Sequence, residues 1–93
     1  MKKKINSIYF QSIECTEEEI KSFSNRIGQN IKKLRQKRGV SQLELSYAIG
    51  FKSTSLIAGA EAGYKNIKFS VEHLYKIAKA LHVDIKEFFN EPK

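Results

Sequence analysis

Apolar residues recur at helical spacing along most of the chain. Ile20, Phe23, Ile27, Ile31 and Leu34 are separated by 3, 4, 4 and 3 positions, which places them on one face of a helix. Thr16-Glu17-Glu18-Glu19 stands ahead of this stripe. It has the form of a capping box: the threonine hydroxyl accepts from an amide one turn in, the third glutamate reaches back, and acidic groups suit the positive end of the helix dipole. The first helix is expected to start there and to end before Gly39, with Lys37 and Arg38 in its last turn. Ser24-Asn25 and Gly28 could divide it into a short lead-in and a main helix.

Ser41-Gln42-Leu43-Glu44 is a second capping box, opening a short helix that stops at Gly50 with Leu45, Ala48 and Ile49 facing inward. The run Ser53-Thr54-Ser55 supplies N-cap candidates for a third helix, with Leu56, Ile57 and Ala60 inward and an end near Ala62-Gly63. Ser70 is expected to cap a fourth helix with the stripe Val71, Leu74, Ile77, Ala78 and Leu81. Asp84-Ile85-Lys86-Glu87 is a further capping box before Phe88 and Phe89. No segment reads as a core strand, and no repeat or low-complexity linker divides the sequence. The expected fold is all-α, a compact bundle of about five short helices over residues 16–93, preceded by an N-terminal extension, residues 1–15. Within that extension Ile5, Ile8, Tyr9, Phe10 and Ile13 fit neither strict alternation nor a clean helical stripe.

Composition narrows the function. The 93 residues suit one small domain, and no apolar run approaches the 18 or so residues of a membrane span. The formal charge is +7, and all of it lies in residues 25–93, because the four lysines and four glutamates of residues 1–24 cancel. A polyanion is the partner such a balance favours. Cys15 is the single cysteine, so neither an internal disulfide nor a cysteine-based zinc cluster is available. Polar residues interrupt any signal-peptide core after Lys2-Lys3-Lys4, and the expected location is cytoplasmic. His73 and His82 lack ligand-spaced partners, so no metal is expected. Nothing sets a nucleophile beside a base and no glycine-rich loop could cradle a phosphate; neither enzyme activity nor a cofactor is expected.

A helix capped at Ser41, a turn at Gly50 and a second helix with hydroxyl-rich early residues form a helix-turn-helix pattern. The resemblance becomes specific when the residues are taken together: Arg35, Ser-Gln-x-Glu-Leu at 41–45, Ala48-Ile49-Gly50, Glu61, Gly63 and Leu-x-Lys-Ile-Ala-Lys-Ala-Leu at 74–81. In this ordered set the sequence resembles the lambdoid repressor and Cro family of DNA-binding regulators, also called the xenobiotic-response-element type, over about residues 25–89. The resemblance implies a recognition helix at about 53–62 in the major groove of double-stranded DNA. It implies base-facing positions at Thr54, Ser55, Ala58 and Gly59. Phosphate contacts are expected from Ser41, Gln42, Lys52, Ser53, Lys65, Asn66 and Lys68. Arg35 and Glu61 resemble a family pair that ties the first helix to the end of the recognition helix.

There are departures from the family pattern. Ala58 and Gly59 stand where the family commonly has longer polar or basic residues, and neither can make a bidentate base contact. Two explanations of specificity stay open: close approach of small residues to bases, including methyl contact with thymine, or readout of DNA shape with backbone contacts. Ser46 stands where the family prefers alanine. Lys37 and Arg38, near the turn, are better candidates for a basic flank than Lys32 and Lys33.

The family usually binds pseudo-palindromic operators as homodimers. Val83, Ile85, Phe88 and Phe89 are interface candidates, with one phenylalanine expected inside and the other at the interface; residues 5–13 offer a second candidate. No small-molecule effector is expected, because little chain remains outside the DNA-binding portion. The expected function is a dimeric, sequence-specific transcriptional regulator, similar in its compactness to restriction-modification controllers and small prophage repressors. The alternative is an antitoxin-type protein-binding partner that also binds its own promoter.

Overall fold

The structure is a computed structural model and describes residues 12–64 and 67–91. Expectations placed on Lys2–Lys4, on residues 5–11 and on Lys65 and Asn66 lie outside the described residues. Four α-helices and a closing 3-10 turn follow one another: α1 (Glu17–Lys37), α2 (Gln42–Ala48), α3 (Ser55–Ala62), α4 (Val71–Leu81) and the turn Ile85–Phe89. No strand occurs among the described residues. The all-α class holds; the expected fifth helix is a single 3-10 turn. Asp84 Oδ1 accepts from the Lys86 amide at 3.0 Å, while the Glu87 carboxylate accepts from the Asn90 side chain at 3.3 Å. Half of the expected capping box is therefore missing, and the turn closes through the Glu87 amide and the Asp84 carbonyl at 2.9 Å.

Local sequence explains where the helices begin. Thr16 Oγ1 accepts from the Glu19 amide at 3.0 Å and the Glu19 carboxylate accepts from the Thr16 amide at 2.8 Å. Ser41 and Glu44 repeat this arrangement at the start of α2. At α4 the returning acceptor is a histidine: the Ser70 amide donates to His73 Nδ1 at 3.0 Å. Sequence reading missed this role because the capping-box pattern calls for Glu or Gln at that position.

α1 runs without a break through Ser24, Asn25 and Gly28, which corrects the expected division. Gly28 is not a weak point but a crossing point. α3 passes so close that a Cβ added at Gly28 would collide with the Ala60 carbonyl oxygen. The core gathers Ile27 and Ile31 of α1, Leu45 of α2 with Ile49, Ile57 of α3, Leu74, Ile77, Ala78 and Leu81 of α4, and Phe88. Asn30 of α1 pins the C-terminal turn by donating to the carbonyls of Phe88 and Asn90, both at 2.9 Å.

Several positions assigned inward from periodicity are exposed. Ile20 and Phe23 are exposed because the elements opposite them leave an open depression; Phe23 stacks on Phe89 at 6.1 Å between ring centroids and lies under the Arg26 guanidinium at 5.7 Å. Val71, at the head of α4, is also exposed, as is Ala48 in the last turn of α2. Leu56 is half-buried and packs against the core.

Candidate nucleic-acid interface

The turn between α2 and α3 is built at Gly50. Its φ of +98° is a left-handed conformation that side chains other than glycine's rarely allow. Here the Gly50 amide donates to the Tyr47 carbonyl and the Phe51 amide to the Ser46 carbonyl, at 3.0 and 2.9 Å. Phe51 is held edge-on against His73 of α4, with centroids 5.4 Å apart. The reversal is thus tied both to α2 and to α4.

A buried polar knot fixes α3 to the two helices before it. Arg35 of α1 donates through Nε to Glu61 Oε2 at 2.7 Å and through Nη2 to Glu61 Oε1 at 2.8 Å. Its remaining nitrogen donates to the Val40 carbonyl at 2.8 Å. Gln42 Nε2, at the front of α2, donates to the same Glu61 Oε1 at 2.9 Å, and Gln29 Nε2 reaches the Glu61 carbonyl at 2.8 Å. Both charged side chains are almost fully buried, so every donor that lost water in forming the pair needs a partner here. The hydrogen bonds donated to Glu61, reinforced by its charge, raise the pKa of the Arg35 guanidinium above its ordinary value against the opposing effect of burial. The guanidinium therefore stays charged at any pH the fold survives.

With its far end locked, α3 presents its first turn outward. Ser55 is exposed, Thr54 and Ala58 are half-buried, and Ala62 is exposed one turn further on, so that Ser55, Ala58 and Ala62 share a face at i, i+3 and i+7. Ala62 was not singled out from the sequence, although the same periodicity places it there. Thr54 makes no side-chain cap; instead Ser53 Oγ accepts from the Ser55 amide at 3.4 Å and bonds its hydroxyl at 3.2 Å.

Gly59 requires a correction. It is buried, and a Cβ there would lie 2.7 Å from Ile67 Cγ1, because the chain returning from α3 to α4 crosses over this position. Gly59 is therefore the packing site of Ile67 and not part of the outward face.

The phosphate candidates differ in their surroundings. Lys52 and Ser53, before α3, and Lys68, after it, are exposed. Ser41 is also exposed, but its hydroxyl and amide are both engaged by Glu44. That contact holds the Glu44 carboxyl below the usual carboxylate range, chiefly through the Ser41 amide. The half-buried Gln42 has its side-chain amide turned to Glu61. At the end of α1, Lys37 is exposed, whereas the Arg38 guanidinium donates to the His82 carbonyl at 3.0 Å.

At the other end of the molecule, Phe88 is completely buried, which removes it from the interface candidates: the core takes it in beside Ile31 and Leu81. Phe89 is exposed, and half-buried Val83 and Ile85 line a shallow depression with Tyr75 and Ala78. Among the described residues no group of three or more His, Cys, Asp or Glu side chains could hold a metal ion, and no helix is long and apolar enough to cross a membrane.

Two short helices joined at a glycine turn, with the second one buttressed from behind and open in front, define a helix-turn-helix DNA-binding domain. A helix-turn-helix family model of the Cro/C1 type matches residues 31–88. The crystal structure of the restriction-modification controller protein C.AhdI from Aeromonas hydrophila is similar, with a TM-score of 0.64 and 31% sequence identity over 73% of this chain and 98% of that one. No match was found among curated proteins. The chain belongs to the Cro/C1-type helix-turn-helix family and is a DNA-binding transcription regulator.

Proposed function

We propose that the protein regulates transcription as a homodimer that places one α3 in each of two successive major-groove segments of a pseudo-palindromic operator. The observation that carries this reading is the Arg35–Glu61–Gln42 knot, which holds α3 rigidly while leaving Thr54, Ser55, Ala58 and Ala62 open to a groove. Thr54 and Ser55 act as donors or acceptors to base edges, and Lys52 and Lys68 neutralise phosphates on either side. The amide of Gln42, at the first position of α2 and without an intrahelical partner, adds a backbone contact. Pairing of protomers through Val83, Ile85 and Phe89 sets the half-site spacing. The similar Aeromonas protein is a restriction-modification controller, and this supports an operator-bound control role.

The test is a titration of duplex DNA at several salt concentrations. Three to five phosphate contacts per protomer predict that log affinity falls against log salt with a slope of roughly 0.9 per contact. Replacing Lys52 and Lys68 together by alanine lowers that slope by about two contacts per protomer. A slope that those substitutions leave unchanged contradicts the placement of α3 between them.

A further inference from the structure

His73 has neighbours that tie together separate parts of the molecule. At the third position of α4 its Nδ1 accepts from the Ser70 amide at 3.0 Å while its own amide donates to Ser70 Oγ at 3.1 Å, which closes the capping box. The same half-buried residue sets its ring edge-on to Phe51 at 5.4 Å between centroids and to Phe69 at 6.3 Å. Phe51 is the residue after Gly50 in the turn, and two residues on Ser53 Oγ accepts from the Ser55 amide that opens α3. One side chain thus stands between the cap of α4 and the entry to α3. A Glu or Gln, usual at this position of a capping box, would bond the Ser70 amide but would set no ring against Phe51.

We propose that His73 is a positioning residue for α3: as a neutral ring it caps α4 and holds Phe51, and a proton on Nδ1 releases both, so that DNA binding weakens as the pH falls. The inference rests on α3 being the element that enters the groove. The geometry requires the form with its hydrogen on Nε2, because a ring nitrogen that accepts from an amide carries no proton. Histidine is the side chain whose charge ordinarily changes between about pH 5 and 8. Its cation donates from both nitrogens, leaves the Ser70 amide without an acceptor and adds positive charge at the positive end of the α4 dipole. The ring must then turn away from Ser70, and the contact with Phe51 turns with it.

The charged groups around the ring do not replace the lost acceptor. Glu72, its neighbour on α4, favours the cation through charge, but its carboxylate is engaged by Lys76 at 2.8 Å. In the turn Lys52 follows Phe51, and ahead of α4 Lys68 precedes Phe69; both are cations. The charged residue of α2, Glu44, is bonded to Ser41 at the opposite end of that helix from Phe51. The sign of the effect is diagnostic. An added positive charge by itself strengthens attachment to DNA, so weaker binding in acid requires a change of shape.

The test uses the full-length protein and the duplex that it enriches in a binding-site selection at about pH 7.5, with affinity measured at about pH 7.5 and about pH 5.5 at constant ionic strength. The wild type is expected to lose about five- to tenfold in affinity on acidification, the size of one lost helix cap. His73→Gln keeps the cap and carries no titrating ring; it is expected to bind less tightly than wild type at the higher pH and to show no such loss. His82→Asn changes the only other histidine and suits the left-handed conformation there, so it is expected to keep the wild-type response. Nitrogen NMR of the free protein at about pH 7.5 is expected to show the His73 ring proton on Nε2. The wild-type profile and the spectrum need no substitution, so both stand if His73→Gln fails to fold. A proton on Nδ1 overturns the proposal, as does wild-type affinity that is unchanged or increased at the lower pH. A loss that His73→Gln retains, or that His82→Asn abolishes, overturns it as well. Each of these results leaves α3 as the recognition helix, whereas a selection that enriches no duplex overturns both.

Discussion

Arg35 and Glu61 meet in a two-pronged hydrogen-bonded pair, Nε to Oε2 at 2.7 Å and Nη2 to Oε1 at 2.8 Å, although 26 residues separate them. The pair joins the end of α1 to the end of the recognition helix, and Gln42 ties α2 to the same carboxylate. Removing one member of a buried pair leaves an uncompensated charge at a cost of about 3–5 kcal/mol. Glu61→Ala is therefore expected to lower the melting temperature strongly and to weaken DNA binding. Thermal unfolding followed by circular dichroism checks this, and an unchanged melting curve shows that the pair does not hold α3.

Gly28 and the Ala60 carbonyl mark a close approach of α1 to α3 that leaves no room for a Cβ. In most exposed helix positions alanine would stabilise relative to glycine by up to about 1 kcal/mol. Here the added methyl meets backbone, which cannot swing aside as a side chain can. Gly28→Ala is expected to destabilise by about 1–3 kcal/mol, read from denaturant unfolding; a stabilised variant would mean that the helices separate easily.

Ser46 is completely buried, and its Oγ has no hydrogen-bond partner. An unpaired buried hydroxyl costs on the order of 1–3 kcal/mol. Ser46→Ala removes that group with little change of volume and is expected to raise stability by about 1 kcal/mol, measured by the same unfolding experiment. Equal or lower stability contradicts the unpaired state of the hydroxyl.

Glu44 and Glu72 set an acid limit. The Ser41 amide lowers the pKa of Glu44, and a hydrogen bond from Lys76 lowers that of Glu72. A carboxylate with a lowered folded pKa adds stability that is complete above its unfolded pKa and is lost as the pH falls through the folded value. The melting temperature is therefore expected to be insensitive to these groups above about pH 5 and to fall below about pH 4.5. Glu44→Gln should reduce the steepness of that fall; an identical acid profile removes Glu44 from the account.

Helix starts were legible in the sequence because caps are local chemistry: Thr16, Ser41 and Ser70 each sit within four residues of the groups they bond. The apolar stripes were legible as faces, but periodicity says only which way a side chain points, not whether anything lies opposite. That is why Ile20, Phe23, Val71 and Ala48 were assigned inward and are exposed. Gly59 was misplaced for the converse reason, since the side chains that cover it, Ile67 and Tyr64, lie outside its own helix. Spacing does not mark Arg35 and Glu61 at all; only the family resemblance singles them out. Phe88 and Phe89 are adjacent and chemically alike, and which one enters the core depends on how Asn30 anchors the turn.

The central claim is that the exposed first turn of α3 reads DNA sequence. A binding-site selection with the full chain, carried out at two salt concentrations and repeated with Ser55→Asp, tests it most directly. Aspartate at that exposed helix start preserves folding while repelling DNA. The predicted result is an enriched pseudo-palindromic motif, with half-site centres about 34–36 Å apart, that persists at the higher salt and is lost in the variant. No enriched motif, or the same motif from Ser55→Asp, would contradict the assignment of α3 as the recognition helix.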